Sequence, residues 1–249
     1  MIQSRKQLIT NCEMLINAYK GGQLGSCELP EDESPVFAAN ELEVKLSYFT
    51  FPMALNYRRN STQLWKAALA TYEDPATRNI FSVPTSAGLS LDELRERLLT
   101  YKVAMQPNRH TLSWSTIART IDGNWGSLEG LLDASGYDFL ALKDTIRHTH
   151  RKGFPCLAGP KLFNYWCFIL DTKCGIQLAN KEFIDIAVDS HVLRCSVKLG
   201  VVSIEEASVL STEEIAQRWR EQLEGSSIAP SDLNVPLWFW SRNGFVLKI

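Results

Sequence analysis

Apolar residues recur every three or four positions along most of the chain, which is the spacing of helices that bury one face. Leu91, Leu94 and Leu98 form one such face. Ser90 stands just before it, and Ser90 with Glu93 has the spacing of a capping box, in which the two residues satisfy each other's backbone N–H groups. This segment is therefore predicted to be a capped amphipathic helix.

Two further helices are predicted from the same serine and glutamate spacing, at 203–206 and at 211–214. The second carries Ile215, Trp219 and Leu223 on one stripe. Strand-like alternation is scarce by comparison, and it is confined to 36–39 and to the C-terminal residues 245–249. We therefore predict an all-α protein. Loops are expected where Pro, Gly, Asn and Ser collect, at 20–35, 73–90, 105–112, 122–127 and 225–236.

Composition is that of a globular protein, with 249 residues, 45% of them hydrophobic and 22% charged. This length allows one large domain or two closely packed lobes. No apolar stretch reaches the roughly 18 to 20 residues that cross a bilayer. The first residues lead into an amphipathic segment rather than a signal peptide, so we expect a cytoplasmic protein without membrane contact.

Cysteine usage indicates reduced thiols rather than a metal site. No Cys-x-x-Cys pair and no histidine cluster at zinc spacing occurs in the sequence. The C-terminal part lacks a cysteine cluster, so no iron–sulfur centre is expected either. We predict no metal and no cofactor. The six cysteines are Cys12, Cys27, Cys156, Cys167, Cys174 and Cys195.

Charge is unevenly distributed, although the net charge is only −2. Residues 28–43 are acidic, and 147–152 form the densest basic run, Arg-His-Thr-His-Arg-Lys. Such a run can be a solvated helix end, or it can contact the phosphates of nucleic acid. The second interpretation gains weight because a turn follows immediately.

That turn occupies 153–161 and joins two helical stretches. Pro160 suits the first turn of a helix, where its missing N–H costs nothing. The turn is either an ordinary helix connection or a phosphate site built from backbone N–H groups at a helix N-terminus. Lys161 then heads a helix that is otherwise apolar and aromatic. Its amine either reaches the surface or is partly desolvated, which would lower its pKa toward that of a nucleophile.

Asp189 follows an apolar approach and stands where a helix N-cap is expected. The surrounding segment carries a specific resemblance. Val-Asp-Ser-His-Val at 188–192, Arg194 and Leu-Gly at 199–200 resemble the signature of helix-hairpin-helix DNA glycosylases, and Gly-Pro-Lys at 159–161 is similar to the end of their hairpin.

Within that superfamily the chain most resembles the archaeal GO glycosylases, which excise 8-oxoguanine and cleave the strand. The similar segments are the lysine helix at 161–165, Asn-Tyr-Arg-Arg at 56–59 with Trp65, and Leu-Asn-Val-Pro-Leu-Trp at 233–238. The resemblance touches 47–240 and is strong over 153–200. It implies two helical lobes, 87–200 and 1–86 with 201–249, with the active site in the cleft between them.

The resemblance also implies roles for single residues. Lys161 would form a Schiff base with the deoxyribose, and Asp189 would stabilise the positive charge that grows on the sugar. The partner would be double-stranded DNA with a damaged or modified base, bound by a monomer. The base pocket would comprise Trp238, Asn234, Trp65 and Phe163. The DNA backbone would be bound by Arg147, His150, Arg151, Lys152, Gly159, Arg194 and Lys198.

Two departures separate this chain from the family pattern. Leu157 stands where the hairpin has its first glycine, and Asn234 stands where the archaeal pocket has aspartate. Aspartate can accept from N1–H and the amine of a guanine-type base, whereas asparagine offers one acceptor and one donor and also suits cytosine. A second hypothesis is therefore excision of a hypermodified phage pyrimidine, such as glucosylated hydroxymethylcytosine, in defence. A third is a non-catalytic DNA-binding protein, and a fourth is an unrelated helical interaction protein.

Overall fold

The computed structural model describes residues 4–26, 28–57 and 59–249. Within these ranges the chain forms thirteen α-helices and no β-strand, which confirms the all-α prediction. No helix in the described ranges has the length and apolar character needed to cross a membrane. The helices are α1 Arg5–Lys20, α2 Leu42–Ala54, α3 Ser61–Glu73, α4 Val83–Gly88, α5 Leu91–Thr100, α6 Pro107–Trp125, α7 Leu128–Ala134, α8 Phe139–Asp144, α9 Pro160–Ile169, α10 Ser190–Lys198, α11 Ile204–Val209, α12 Thr212–Leu223 and α13 Asn234–Arg242.

The predicted capping boxes are present at the starts of three helices. Ser90 and Glu93 exchange hydrogen bonds at the start of α5, and equivalent pairs open α11 and α12. The predicted apolar stripe of α12, which includes Trp219, is buried. Trp219 donates its indole N–H to the Ser196 hydroxyl at 2.8 Å, so this buried donor is satisfied.

Several segments expected to be loops are partly helical. The segment 73–90 contains α4, and 105–112 contains the start of α6. In both cases a proline stands in the first helical turn, at Pro84 and Pro107, and starts the helix instead of breaking it. The candidate strands at 36–39 and 245–249 are not strands in the structure.

Contacts between helices divide the chain into two compact units. The terminal unit comprises Met1–Glu28 and Lys181–Ile249, and the central unit comprises Leu29–Asn180. These bounds differ from those of the two predicted lobes, which were 87–200 and 1–86 with 201–249. Because α2 packs against α7 and α9, it shares one core with the hairpin helix, whereas α10 packs against α13.

The central unit is organised around α2. Every residue from 46 to 54 is buried, because α3, α6, α7 and α9 all pack against this helix. Thr50 shows how a polar residue is accommodated there, since its hydroxyl accepts from the Trp166 indole N–H at 2.9 Å. This contact links α2 directly to the helix that begins at Lys161.

The terminal unit is held together by α13, which packs against α1 and α10. The Tyr19 ring of α1 stacks on the Phe239 ring of α13, with 5.9 Å between their centroids. Cys195 of α10 donates its thiol hydrogen to the Leu237 carbonyl at 3.2 Å. These contacts fix α10, and therefore the residue at its N-cap, against α13.

The described cysteines are free thiols, as predicted. Cys12, Cys167, Cys174 and Cys195 are buried, and Cys156 is half-buried. Burial raises the pKa of the Cys12 thiol to about 12, so this thiol stays protonated and behaves as a small apolar side chain. Cys27 lies outside the described residues.

Candidate active site

The predicted hairpin is a tight turn between a short 3-10 helix, Arg151–Gly153, and α9. Cys156 adopts a left-handed backbone with φ 64°, a conformation in which glycine is the usual residue. Leu157, which was compared with the first glycine of the helix-hairpin-helix motif, is buried and has no positive φ. The sharp reversal of the chain therefore falls on Cys156, one residue before Leu157, the residue that was compared with the hairpin glycine.

Most N–H groups of the turn are used within it. Leu157, Ala158 and Gly159 donate to the carbonyls of Pro155, Phe154 and Cys156 at 2.8 to 3.0 Å. The N-cap of α9 is Gly159, which has no side chain to cap the helix, and Pro160 occupies the first turn as predicted. The backbone N–H groups left without an intrahelical partner at this end of the hairpin therefore belong to the first turn of α9 rather than to the turn itself.

Lys161 lies in that first turn, and its side chain is exposed. This placement matches the surface alternative and not the partly desolvated amine. The next residues turn inward, since Leu162 and Phe163 are buried. Among the described residues, no carboxylate forms an ion pair with Lys161.

The basic run at 147–152 is divided between bracing the hairpin and facing solvent. Arg147 is half-buried and donates from Nε to the Ala158 carbonyl at 3.2 Å. His150 is half-buried, with its ring edge-on to Trp125 at 4.9 Å. Arg151 and Lys152 are exposed. Of the four basic residues predicted to bind phosphate here, only these last two are exposed.

Asp189 is the N-cap of α10, as predicted. Its Oδ1 accepts the backbone N–H groups of His191 at 2.8 Å and Val192 at 2.9 Å. Its Oδ2 accepts no hydrogen bond from any residue that the structure describes. The carboxylate is therefore held in one orientation with one oxygen still free to act.

Asn234 is 4% exposed and lies at the start of α13. Its Oδ1 accepts the backbone N–H of Ala187 at 2.8 Å, which fixes the extended segment just before Asp189. Its Nδ2 is buried and has no hydrogen-bond partner in the described part of the chain. Asn234 thus braces the approach to the carboxylate, a role not anticipated from the sequence.

Trp238 follows Asn234 by one helical turn and is half-buried. Its ring lies 5.4 Å from the His191 ring, between centroids, and the Arg242 guanidinium lies 4.6 Å from its centroid. His191 also contacts the Ser241 hydroxyl at 3.2 Å. In the terminal unit, α10 and α13 therefore assemble a carboxylate, an amide, an imidazole and a partly accessible indole.

No protein-family model and no curated protein matches this chain.

Two predicted pocket residues are core residues instead. Trp65 and Phe163 are both 0% exposed. Trp65 packs against Tyr48 and Phe49 with centroids 5.8 and 5.6 Å away. A base cannot stack on a ring whose surface is fully covered, so Trp238 alone of the predicted aromatic pocket residues has accessible surface. Arg58, part of the segment compared with the family, lies outside the described residues.

Arg194 and Lys198, the predicted phosphate contacts of the terminal unit, are both exposed. The Arg194 guanidinium donates to the Ser190 carbonyl at 3.1 Å and to His191 Nδ1 at 3.0 Å. Lys198 places its ammonium 5.0 Å from the centroid of Phe245. Both side chains are exposed and keep N–H groups that these contacts do not use.

Two carboxylates of the acidic stretch have structural roles that the sequence did not indicate. Glu31 is 1% exposed and accepts a hydrogen bond from the Tyr165 hydroxyl of α9, one turn after Lys161. Burial raises the pKa of the Glu31 carboxyl. Glu43 caps α7 from a distance by accepting the N–H groups of Leu128 and Glu129 at 2.9 Å. Burial also raises the pKa of Glu43. Neither role has a local sequence signal, because the partners lie far along the chain.

A cavity of about 420 Å³ lies elsewhere in the terminal unit, lined by residues that include Phe183, Arg220 and Ile228. Arg220 is engaged there by the Asp185 carboxylate and the Phe183 carbonyl. None of the predicted site residues lines this cavity.

Proposed function

We propose that this protein is a bifunctional DNA glycosylase and AP lyase that flips a damaged or modified base out of duplex DNA and excises it. One observation carries the proposal. Each predicted catalytic residue stands at the N-terminal end of a helix with its reactive atom unengaged: Lys161, in the first turn of α9, is exposed, and Asp189, the N-cap of α10, has a free Oδ2. A purely structural N-cap would need no more than the oxygen already used.

The proposed reaction requires both groups to act on one deoxyribose. As the bond between C1′ and the base stretches, its electron pair leaves with the base, and Asp189 stabilises the positive charge on the sugar. Lys161, after losing a proton to a base such as this carboxylate, forms a bond from its Nζ to C1′. The C1′–O4′ bond then breaks while a proton moves from the nitrogen to O4′, which leaves a protonated Schiff base. Loss of a C2′ proton expels the 3′ phosphate, and water hydrolyses the Schiff base to release the lysine.

Binding of DNA would depend on exposed cations and on the uncapped N-terminus of α9. Arg151 and Lys152 precede the hairpin, and the helix N-terminus carries backbone N–H groups without a side-chain cap. Both features attract phosphate without reading sequence. A flipped base would be held by the half-buried ring of Trp238.

The exposed cations Arg151 and Lys152 at the hairpin favour a second candidate, a non-catalytic DNA-binding protein with the same hairpin. Such a protein needs the cations and the helix N-terminus but no unpaired amine. It would bind duplex DNA and release no base.

A panel of duplexes separates the two candidates. Oligonucleotides carrying 8-oxoguanine, uracil or glucosylated hydroxymethylcytosine would be incubated with the native protein, and free base and strand breaks would be quantified. The proposal predicts release of one base with a break on its 3′ side. Asp189→Asn is expected to slow base release at least a hundredfold, which is the typical contribution of one charged group in a catalytic site. Tight binding without release of any base would support the non-catalytic candidate.

A further inference from the structure

The cavity of about 420 Å³ in the terminal unit has the size of a site for a small organic molecule, for which roughly 300–1,000 Å³ is typical. Three pieces of chain line it: the short 3-10 helix Lys181–Phe183, the second half of α12 and the segment 226–230. All three belong to the terminal unit. The cavity is therefore complete within one unit, and the chemistry of its own walls indicates what it can bind.

Part of the cavity wall is apolar. Leu223, Ile228 and Pro230 are buried in the fold and line the cavity. Phe183 also lines it, and this residue is 43% exposed. A ligand with a hydrocarbon portion would remove this apolar surface from water, which favours binding.

Arg220 contributes a positive charge to the wall, and this charge is balanced within the fold. Its Nε and Nη2 donate to the Asp185 carboxylate at 3.0 and 2.5 Å, and Nη2 also donates to the Phe183 carbonyl at 2.7 Å. These bonds hold the guanidinium beside the Phe183 ring, 5.7 Å from its centroid. Because Asp185 neutralises Arg220, this part of the wall does not favour an anionic ligand.

Three carboxylates in the wall are not balanced in this way. Glu182, Glu221 and Glu224 are exposed, and none of them forms an ion pair with a residue that the structure describes. The C-terminal end of α12 adds negative potential beside two of them. The Arg5 guanidinium donates to the main-chain carbonyls of Gln222 and Glu224 rather than to these carboxylates. A cleft lined by one sign of charge attracts counter-ions, so this cavity favours a cation.

We propose that this cavity binds an aliphatic polyamine, whose ammonium groups pair with the three glutamates while its methylene chain lies on the apolar wall. The site is independent of the proposed glycosylase reaction. Among the described residues, no group of acidic, histidine or cysteine side chains is arranged to hold one metal ion, so charges spread along a chain match these carboxylates better. A protein partner matches the cavity less well, because a stable protein interface buries about 1,200 Å² or more.

Isothermal titration calorimetry with spermidine as the probe tests the proposal on the full-length native protein. Spermidine carries three ammonium groups on a methylene chain, whereas hexaamminecobalt(III) carries the same charge without a hydrocarbon. One spermidine is expected to bind per chain. Hexaamminecobalt(III) should bind about tenfold more weakly, because it buries no methylene groups.

The triple variant Glu182→Gln with Glu221→Gln and Glu224→Gln keeps the size of the three side chains and removes their charge. Its affinity for spermidine should fall about tenfold, which is the combined effect expected of three exposed ion pairs. Thermal unfolding of the variant shows whether the fold is retained.

The control of equal charge is Glu13→Gln with Glu73→Gln and Glu96→Gln, since these glutamates are exposed and do not line the cavity. It should keep the native affinity. Equal losses in the two triple variants, or equal affinity of the native protein for spermidine and hexaamminecobalt(III), would overturn the proposal by showing that only overall charge matters. Absence of spermidine binding to the native protein would also overturn it. The comparison of the two ligands needs the native protein alone, so it decides the matter even if the triple variant does not fold.

Discussion

Asp189 serves α10 as an N-cap, and under the proposed function it also serves the reaction. The two roles use different oxygens, because the backbone N–H groups of His191 and Val192 both meet Oδ1. The same division of labour holds for Asn234, whose oxygen is structural and whose amine is unengaged. At the scale of single residues, each of these two side chains uses one polar atom to stabilise the fold and leaves the other without a hydrogen bond.

Substitutions at Asp189 can separate its two roles. Asparagine caps a helix as well as aspartate does, so Asp189→Asn should leave the free energy of unfolding nearly unchanged while base release falls. Asp189→Ala removes the cap and should destabilise the protein by about 1 kcal/mol. Denaturant unfolding and base-release assays measure the two effects.

Asp138→Asn is the control, because Asp138 caps α8 by accepting the Ala141 N–H. It should retain full base release. If Asp189→Asn kept native activity, Asp189 would be a structural cap only.

The pattern of apolar positions and serine caps predicts the helices that start with strong local signals. The boxes at α5, α11 and α12, the proline start of α9 and the N-cap at Asp189 all follow from residues within one turn. Features that depend on distant partners do not follow from the sequence. The bond from Ala187 to Asn234 spans 47 residues, and the core position of Trp65 depends on rings from α2.

At the scale of elements, the hairpin is positioned by a close approach to α6. A Cβ added at Gly153 would lie 2.5 Å from Thr120 Cγ2. Thr120 cannot move away easily, because its β-branched side chain is stiff and its hydroxyl donates a hydrogen bond to the Thr116 carbonyl. Gly153→Ala should therefore destabilise the protein by about 1–3 kcal/mol and weaken DNA binding.

Gly123→Ala on the same helix is the matched control. Nothing lies within 4 Å of its added Cβ, and alanine in a helix is favoured over glycine by about 0.5–1 kcal/mol. Thermal unfolding of the two variants should therefore shift in opposite directions. Equal shifts would show that the hairpin does not depend on this contact.

The start of α6 gives the fold a dependence on pH. His110 Nδ1 accepts the Met105 N–H at 3.1 Å, so a proton there would break this bond. Burial, with Arg59 and Arg109 nearby, lowers the pKa of His110 from 6.5 to about 4. Because the unfolded chain binds the proton first, the contribution of His110 to stability is present above pH 6.5 and is lost as pH falls toward 4.

His110→Gln keeps a possible acceptor for Met105 and removes the titrating group. Melting temperatures measured between about pH 7 and pH 4 should therefore fall less steeply for this variant than for the native protein. Parallel curves would mean that His110 titrates alike in the folded and unfolded chains.

For the whole molecule, the net charge of −2 means that the DNA binding we propose has to depend on local cations. Removing one cation that binds a phosphate makes the slope of log K, the binding constant, against log salt less steep by about 0.9. The double variant Arg151→Ala with Lys152→Ala should therefore make the slope less steep by about 2. Binding should weaken equally for all DNA sequences. Fluorescence anisotropy over a salt series measures this slope.

Lys6→Ala with Lys20→Ala removes two exposed cations from α1 and is the control of equal charge. Its slope should remain that of the native protein. If the slope were unchanged in the variant of Arg151 and Lys152, these two residues would not belong to a DNA-binding surface.

The central claim is that Lys161 forms a covalent bond with the sugar of the excised base. Borohydride reduces a Schiff base to a stable amine, so trapping on the duplex that yields free base, followed by peptide mapping, tests the claim directly. The account predicts a native adduct at Lys161, none with Lys161→Gln, and a normal adduct with Lys152→Gln. An adduct that persists in Lys161→Gln, or base release without any native adduct, would contradict it.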